Sequence, residues 1–283
     1  MKKLTLLLVM IVAYITGYAQ YCASSANSTL DEDIFNVTFG SLNNSSTCTT
    51  TGGGASIQSR YSDYTGVTAP VIPIGTITPI SINVTTCGGS FTTGVRVFID
   101  LNNDNIFANP TEAVYASTTF ISATGAGTTL TGNVNIPLGT TGGIKRMRVI
   151  AIETGSPATI PPCGTYGWGE TEDYNVDLIV PPACNAAIVA GATTSSSDSV
   201  CPNLPFNLGL NGNTIASGLT FQWQQSVTCG APTWVNIGAA TSSFYTVPGI
   251  TASTMYRCII TCVASGTQVF STPQCVIVKS FLE

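Results

Sequence analysis

At 283 residues the chain is long enough for two ordinary domains, yet only 8% of it is charged, with nine Lys and Arg against fourteen Asp and Glu. A net charge of −5 makes nucleic acid and anionic membranes poor partners, because both demand a basic patch. The absence of histidine removes Ser-His and Cys-His nucleophile pairs and the usual zinc sites, leaving carboxylates as the catalytic resource.

Lys2 and Lys3 precede an apolar run from Leu4 to about Ile15, and Gly17 and Ala19 supply the small residues a signal peptidase reads. The pattern predicts a secretory leader over residues 1–19, cut before Gln20. The run is short for a spanning helix. Ala19-Gln20-Tyr21-Cys22 also lacks the small residue that a lipidated cysteine needs before it, and no later stretch is apolar enough to cross a bilayer. The mature chain is therefore expected outside the inner membrane: secreted, at the cell surface or in the periplasm. All ten cysteines follow the leader, and none forms a CxxC pair. An even count in an exported chain reads as a disulfide framework.

Gly, Thr, Ser and Asn are frequent while Glu and Lys are scarce, which predicts short strands and tight turns rather than helix. Ile80, Ile82 and Val84 alternate with polar residues, and Val95, Val97 and Ile99 alternate with Arg96, Phe98 and Asp100. Val134, Ile136 and Leu138 continue the pattern, as do Met147, Val149 and Ala151, then Tyr174, Val176, Leu178 and Val180. Period-two alternation with one polar face predicts antiparallel sheets, hence an all-β fold of the β-sandwich or jelly-roll kind.

The segment after Ile99 carries the most informative spacing. Asp100, Asn102 and Asp104 stand at positions one, three and five of a calcium-loop pattern, with the Ile106 carbonyl next and Glu112 downstream. Asn105 occupies the place such loops usually give to Gly, and Glu112 is thirteenth rather than twelfth, so this is no EF-hand. A second cluster, Glu170, Glu172 and Asp173, places three carboxylates in four residues. On spacing alone it reads as a solvated turn. The alternatives are pairing with Arg146 and Arg148, or a calcium ion shared with Asp100 and Asp104.

Val180-Pro181-Pro182-Ala183-Cys184 marks a boundary between units at 20–180 and 181–283. Four cysteines lie before it and six after, so each unit can be crosslinked separately. In the second unit Cys201, then Trp223, then Tyr256 two residues before Cys258 follow the immunoglobulin pattern of a tryptophan packed on an inter-sheet disulfide. That pattern predicts a Cys201–Cys258 bridge and an Ig-like domain. Pairing among the remaining cysteines stays open.

Tyr21-Cys22, Asn36-Val37-Thr38-Phe39-Gly40, Tyr61-Ser62-Asp63-Tyr64-Thr65, the Phe98-to-Glu112 segment, Arg146-Met147-Arg148-Val149 and Gly169-Glu170-Thr171-Glu172-Asp173-Tyr174 occur in that order. Together they resemble the GEVED domain over about residues 21–180, with Thr171 in place of the usual Val. The resemblance implies a module of secreted and cell-surface proteins, chiefly of Bacteroidota, with no catalytic activity of its own. The second unit is similar to Ig-like repeats that accompany such modules. Proteins of this kind often end in a sorting domain, and none is visible before Glu283. A released or periplasmic chain, or a piece of a longer one, is expected.

The leading expectation is a non-catalytic, calcium-stabilised extracellular module for adhesion, recognition or surface display, with a protein or glycan partner. The alternative is a carbohydrate-binding accessory module using Tyr61, Tyr64, Tyr166 and Trp168 to stack on sugar rings. A glycosidase working through paired carboxylates, Glu172 among them, is the weaker alternative.

Overall fold

The computed structural model describes residues 21–279, and over them the chain is all strand and turn apart from one 3-10 turn at Pro157–Thr159. The leader read over residues 1–19 lies outside the described residues.

In the first part of the chain the strands are β1 (Ser24–Ala26), β2 (Glu32–Phe39), β3 (Leu42–Ser45), β4 (Tyr61–Asp63), β5 (Val71–Pro73), β6 (Ile77–Thr86) and β7 (Thr92–Ile99). There follow β8 (Ala113–Ala116), β9 (Phe120–Ile121), β10 (Thr128–Asn135), β11 (Gly143–Glu153), β12 (Gly164–Tyr166) and β13 (Gly169–Ile179). One sheet runs β10-β6-β2-β3 and the other β4-β13-β11-β7-β8. They pack face to face across a single core. The first sheet supplies Ile34, Val37, Phe39, Ile80, Ile82, Val84 and Val134; the second supplies Val95, Val97, Ile99, Met147, Val149, Tyr174 and Val176. The alternating residues of the sequence are thus the core-facing ones.

Two expectations need correction. The sheets are not purely antiparallel, since β4 and β5 both run parallel to β13 and β1 runs parallel to β12. The outer face of β7, β11 and β13 is also not solvated. Phe98 and Ile150 on that face pack with Phe107 and Ile160 in a second small core. Arg96 is buried there too, its guanidinium 4.9 Å from the Phe98 ring and donating to Ile160 O and Asn109 Oδ1. The N-terminal segment covers this face, pinned to it by the Cys22–Cys163 disulfide; Cys48–Cys87 is the other bridge of this part.

The later strands are β14 (Ala192–Ser195), β15 (Ser199–Val200), β16 (Phe206–Asn211), β17 (Leu219–Ser226), β18 (Val235–Asn236), β19 (Tyr245–Val247), β20 (Thr254–Cys262), β21 (Gln268–Phe270) and β22 (Gln274–Val278). They form sheets β14-β16-β19 and β15-β22-β20-β17-β18 around their own core, with Trp223, Tyr256, Cys258 and Ile260 at its centre. The Cys201–Cys258 bridge is not formed. Cys184 pairs with Cys262 and Cys229 with Cys275, leaving Cys201 exposed and Cys258 buried as free thiols. Cys258 lies opposite Trp223 in the β17–β20 register, inside the core, whereas Cys201 sits in the turn that follows β15. Burial pushes the Cys258 thiol up to about 12, so it is an inert apolar side chain at neutral pH. Trp223 donates its indole N–H to Ser242 O, while the Tyr256 hydroxyl makes no well-formed hydrogen bond.

Candidate metal centre

Beyond Ile99 the chain leaves β7, and Asp100 folds the following turn around its carboxylate. Its Oδ1 accepts from the backbone N–H of Asn103 at 2.7 Å, and its Oδ2 accepts from that of Asn105 at 2.9 Å. Asn102 Oδ1 accepts from Asp104 N, and Asp104 Oδ1 from Ile106 N. Two left-handed residues make the tight path, Asn103 at φ +64° and Asn105 at φ +66°. Asparagine tolerates that conformation better than most residues, so Asn105 does the work of the missing glycine. Glu112, one residue late by sequence, still reaches back. Its Oε1 accepts from Leu101 N at 2.8 Å, and its Oε2 from Ala108 N at 2.7 Å.

The outcome is a convergent set: one carboxylate oxygen each from Asp100, Asp104 and Glu112 lies within 4.8 Å of the others. Oxygens on opposite sides of a calcium ion stand roughly 5 Å apart at the ordinary Ca–O distance, so the spacing fits one hard cation. Asp100 and Glu112 are buried and Asp104 is exposed, which leaves the site open on one side. Among the described residues the other convergent set, Asp33 with Cys48 and Cys87, offers no thiolate because those cysteines are joined to each other.

Tyr21 ties the loop to a cleft. Its hydroxyl donates to Asp100 Oδ2 at 2.6 Å, and its ring lies between Phe107, 5.1 Å centroid to centroid, and the Arg146 guanidinium, 4.9 Å away. Burial first, and then Asp100, push the Tyr21 hydroxyl above its ordinary pKa, so it stays a donor. The cleft beyond has a volume of about 950 Å³ and is lined by Tyr21, Ser25, Tyr61, Asp63, Arg146 and Asp173, among others.

The second acidic cluster is not a solvated turn. Glu170, Glu172 and Asp173 lie on β13, each 1% exposed. Alternation sends Asp173 to the outer face, where Arg148 holds it in a bidentate pair, Nε to Oδ1 at 2.7 Å and Nη2 to Oδ2 at 2.8 Å. Arg148 Nη1 also donates to Cys22 O and Pro162 O, which binds both arms of the Cys22–Cys163 bridge to the sheet. Arg146 is the weaker partner at 3.5 Å. Glu170 and Glu172 point the opposite way, into the space between the sheets, so they share no ion with Asp100. There Glu170 accepts from Ile34 N and Ser62 Oγ, and Glu172 from Tyr174 Oη. Burial pushes Glu172 up to about 8 and raises Glu170 well above the usual carboxylate range.

The four aromatics read as sugar platforms scatter. Tyr61 lines the cleft, its hydroxyl donating to Asp173 Oδ2, and Trp168 is exposed elsewhere. Tyr64 is buried and stacks on Tyr174 in the core, and the Tyr166 hydroxyl bonds Thr171 while its ring packs on the Phe98 cluster. Tyr64, 8% exposed, offers no free face to a sugar. Sequence reasoning missed Tyr21 and Asp33. The acidic run Asp31-Glu32-Asp33 ahead of a strand could have drawn notice to the second, while Tyr21 entered only as part of the ordered motif set.

Residues 94–177 match the family model of the GEVED domain, and residues 189–280 match that of a domain of unknown function, DUF8696. No curated protein matches the chain. Among solved structures, the CARDB domain of a Pyrococcus furiosus protein in complex with di-metal ions is 16% identical, with 39% of this chain and 81% of that chain covered and a TM-score of 0.26. Murine CEACAM1b is 10% identical over 74% of this chain and 95% of that one, with a TM-score of 0.24. Dimeric latent PorU from Porphyromonas gingivalis is 11% identical over 90% of this chain and 21% of that one, with a TM-score of 0.28. Likenesses this low carry no argument about fold or function.

Proposed function

We propose that this chain, with its GEVED domain over residues 94–177, is a non-catalytic extracellular binding module in which a calcium ion braces the wall of a ligand cleft. The observation that carries it is the convergence of Asp100, Asp104 and Glu112 on one point, with Tyr21 joining Asp100 to the cleft. Asn102 and the Ile106 carbonyl complete the oxygen set by their places in the loop. The residues 20–180 unit carries this site, and the residues 181–283 unit adds a second disulfide-braced β body. An ion here would hold the loop, and through Tyr21 the position of Arg146, without taking part in any reaction.

The test is the thermal midpoint of the leaderless chain in calcium and in EDTA, beside Asp104→Ala. Calcium at about 100 times its dissociation constant adds about 2.7 kcal/mol, several degrees for a domain of this size. The expected result is such a rise in the wild type, diminished in Asp104→Ala. An equal rise in both proteins would remove the loop as a metal site. Adhesion or recognition predicts retention on cells, matrix or a glycan array, and inertness toward all three would count against it.

A carbohydrate partner is the second reading, favoured by Tyr61 and Asp63 beside Arg146 in the cleft, since planar polar groups and a tyrosine ring suit sugar hydroxyls and pyranose faces. Retention on insoluble polysaccharide that Tyr61→Ala abolishes, and Trp168→Ala leaves intact, would place the sugar in the cleft. The glycosidase expectation loses the carboxylate it relied on: Glu172 is sealed between the sheets and lines no part of the cleft.

A further inference from the structure

Behind β13, on the side away from the cleft, acids meet without a base. Asp33 of β2 and Glu170 and Glu172 of β13 are each 1% exposed. Among the described residues no arginine or lysine forms a salt bridge with any of the three; both salt bridges found go to Asp173 on the opposite face. The other titratable groups facing the cluster are Tyr174 of β13, Tyr64 beyond β4 and Tyr166 of β12, and burial holds all three as neutral hydroxyls. On the adjoining strands, Ala151 and Val149 of β11 and Thr85 of β6 stand opposite the three acids and carry no charge. The Cys48–Cys87 disulfide closes the remaining side, with both sulfurs within 4.8 Å of the Asp33 carboxyl.

Three carboxyl groups so placed cannot all be ionised. Each charge taken out of water without a partner costs several kcal/mol, and like charges side by side add to that cost. Asp33 and Glu170 are hydrogen-bonded to each other. Two carboxylates have no hydrogen to offer, so this bond needs one proton between them. Glu170 otherwise accepts from Ile34 N at 2.9 Å and Ser62 Oγ at 2.7 Å, and Glu172 accepts from Tyr174 Oη at 2.8 Å. Asp33 Oδ2 is buried with no donor at all, a poor place for a full negative charge. The rise of Glu172 to about 8, and of Glu170 well above the usual range, agrees with acids that keep their protons.

The state of these acids reaches the cleft through β4. That strand lies in parallel register with β13, Tyr61 opposite Thr171, Ser62 opposite Glu172 and Asp63 opposite Asp173. Alternation turns Tyr61 and Asp63 to the cleft and the fully buried Ser62 to Glu170. We propose that Asp33, Glu170 and Glu172 form a proton-closed latch: a proton shared by Asp33 and Glu170 and another on Glu172 hold β2, β4 and β13 together at neutral pH, and their loss to solvent base in alkaline medium loosens the Tyr61–Asp63 wall of the cleft. The protons are held whether or not the cleft takes a ligand, so the latch stands or falls apart from the binding role.

The test uses the leaderless chain carrying Glu153→Gln, in EDTA, so that the Asp100 loop holds no calcium and Glu153 does not titrate. Infrared absorption of un-ionised carboxyl groups is expected at about pH 7 and should weaken as pH rises through about 8. Its absence at neutral pH overturns the proposal. Glu170→Gln and Glu172→Gln are then added, since an amide imitates the neutral acid. Glu172 is raised from an ordinary 4.5, so its contribution to stability is full below 4.5 and lost as pH rises through about 8. Over that window the thermal midpoint of the parent should fall by about 5 °C or more relative to the variant. At about pH 9 the amides of residues 61–63 should exchange about tenfold faster in the parent than in the variant. Midpoints that run parallel, or equal exchange, overturn the latch. Should the variant fail to fold, the infrared titration of the parent decides alone.

Discussion

Arg148 and Asp173 are both almost fully buried, and each satisfies the other through two hydrogen bonds. Removing one member of such a pair strands the other charge, so Arg148→Met should cost about 3–5 kcal/mol by urea denaturation. Arg146, 23% exposed and 3.5 Å from the same carboxylate, should cost about 1 kcal/mol or less when changed to Met. Equal losses would show that packing of the aliphatic stems, not charge, sets the effect. Glu153 gives a pH prediction. Burial and then the neighbouring Glu32 and Asp31 push its carboxyl up to about 7 from an ordinary 4.5. The folded chain therefore binds more protons than the unfolded one between those values, and this contribution is full below pH 4.5 and lost as pH rises through about 7. Relative to Glu153→Gln, the wild type should thus lose stability over that window in EDTA. A constant difference between the two proteins from pH 4 to 8 would contradict it.

At the scale of the element, β13 does two jobs with one alternation. Its odd residues Thr171 and Asp173 face the N-terminal segment, while Glu170, Glu172 and Tyr174 face the core. Gly169 starts the strand at φ +126°, and a Cβ there would stand 2.0 Å from Ala151 O on the neighbouring β11. Gly169→Ala should therefore cost about 3 kcal/mol or more, from a backbone conformation alanine avoids plus a clash with main chain that cannot move aside. Its readout is the yield of folded protein and the urea midpoint. In the Asp100 loop the opposite substitution is benign. Asn105 already sits at φ +66°, so Asn105→Gly should stay within about 0.5 kcal/mol, whereas Asn105→Val should cost roughly 1–2 kcal/mol and weaken calcium binding. If Asn105→Val bound calcium as tightly as the wild type, the left-handed turn would not matter to the site.

For the whole molecule, crosslinks compensate for a chain poor in charge. On the chain-entropy model, bridges spanning separations of 141 and 78 residues are worth about 5 and about 4.5 kcal/mol. Peptide mapping without reduction should recover Cys22–Cys163, Cys48–Cys87, Cys184–Cys262 and Cys229–Cys275. A maleimide should label Cys201 in the native protein and Cys258 only after unfolding. Recovery of a Cys201–Cys258 peptide would refute the arrangement. The buried residues of the two hydrophobic cores come from separate stretches of chain, Ile34 to Leu178 and Cys184 to Val276, with the half-buried Leu138 packed against both. Heating should accordingly give two transitions, of which calcium moves only the one assigned to the first core. A single transition would mean that the bodies unfold as one unit.

Much of this was legible in the chain because it is local. Period-two alternation names the core-facing residues of β6, β7, β11 and β13, since in a strand the face is set by parity alone. The spacing of Asp100, Asn102 and Asp104 survives folding because a turn of that length brings its own side chains together. Composition was sufficient for an all-β chain, and the GEVED resemblance rests on an ordered set of local motifs. Long-range partnership was not written there. Which cysteines meet depends on where Cys184 and Cys262 fall when two sheets close, and a Cys-Trp-Tyr-Cys order cannot say that Cys258 sits alone in the core. The acidity of Glu170, Glu172 and Asp173 announced charge but not its address. Only the packing of β2 against β13, and of residues 21–26 over the outer face, decided that one carboxylate meets Arg148 and the other two meet Asp33, because burial and partnership belong to surfaces that do not exist until distant strands are brought together.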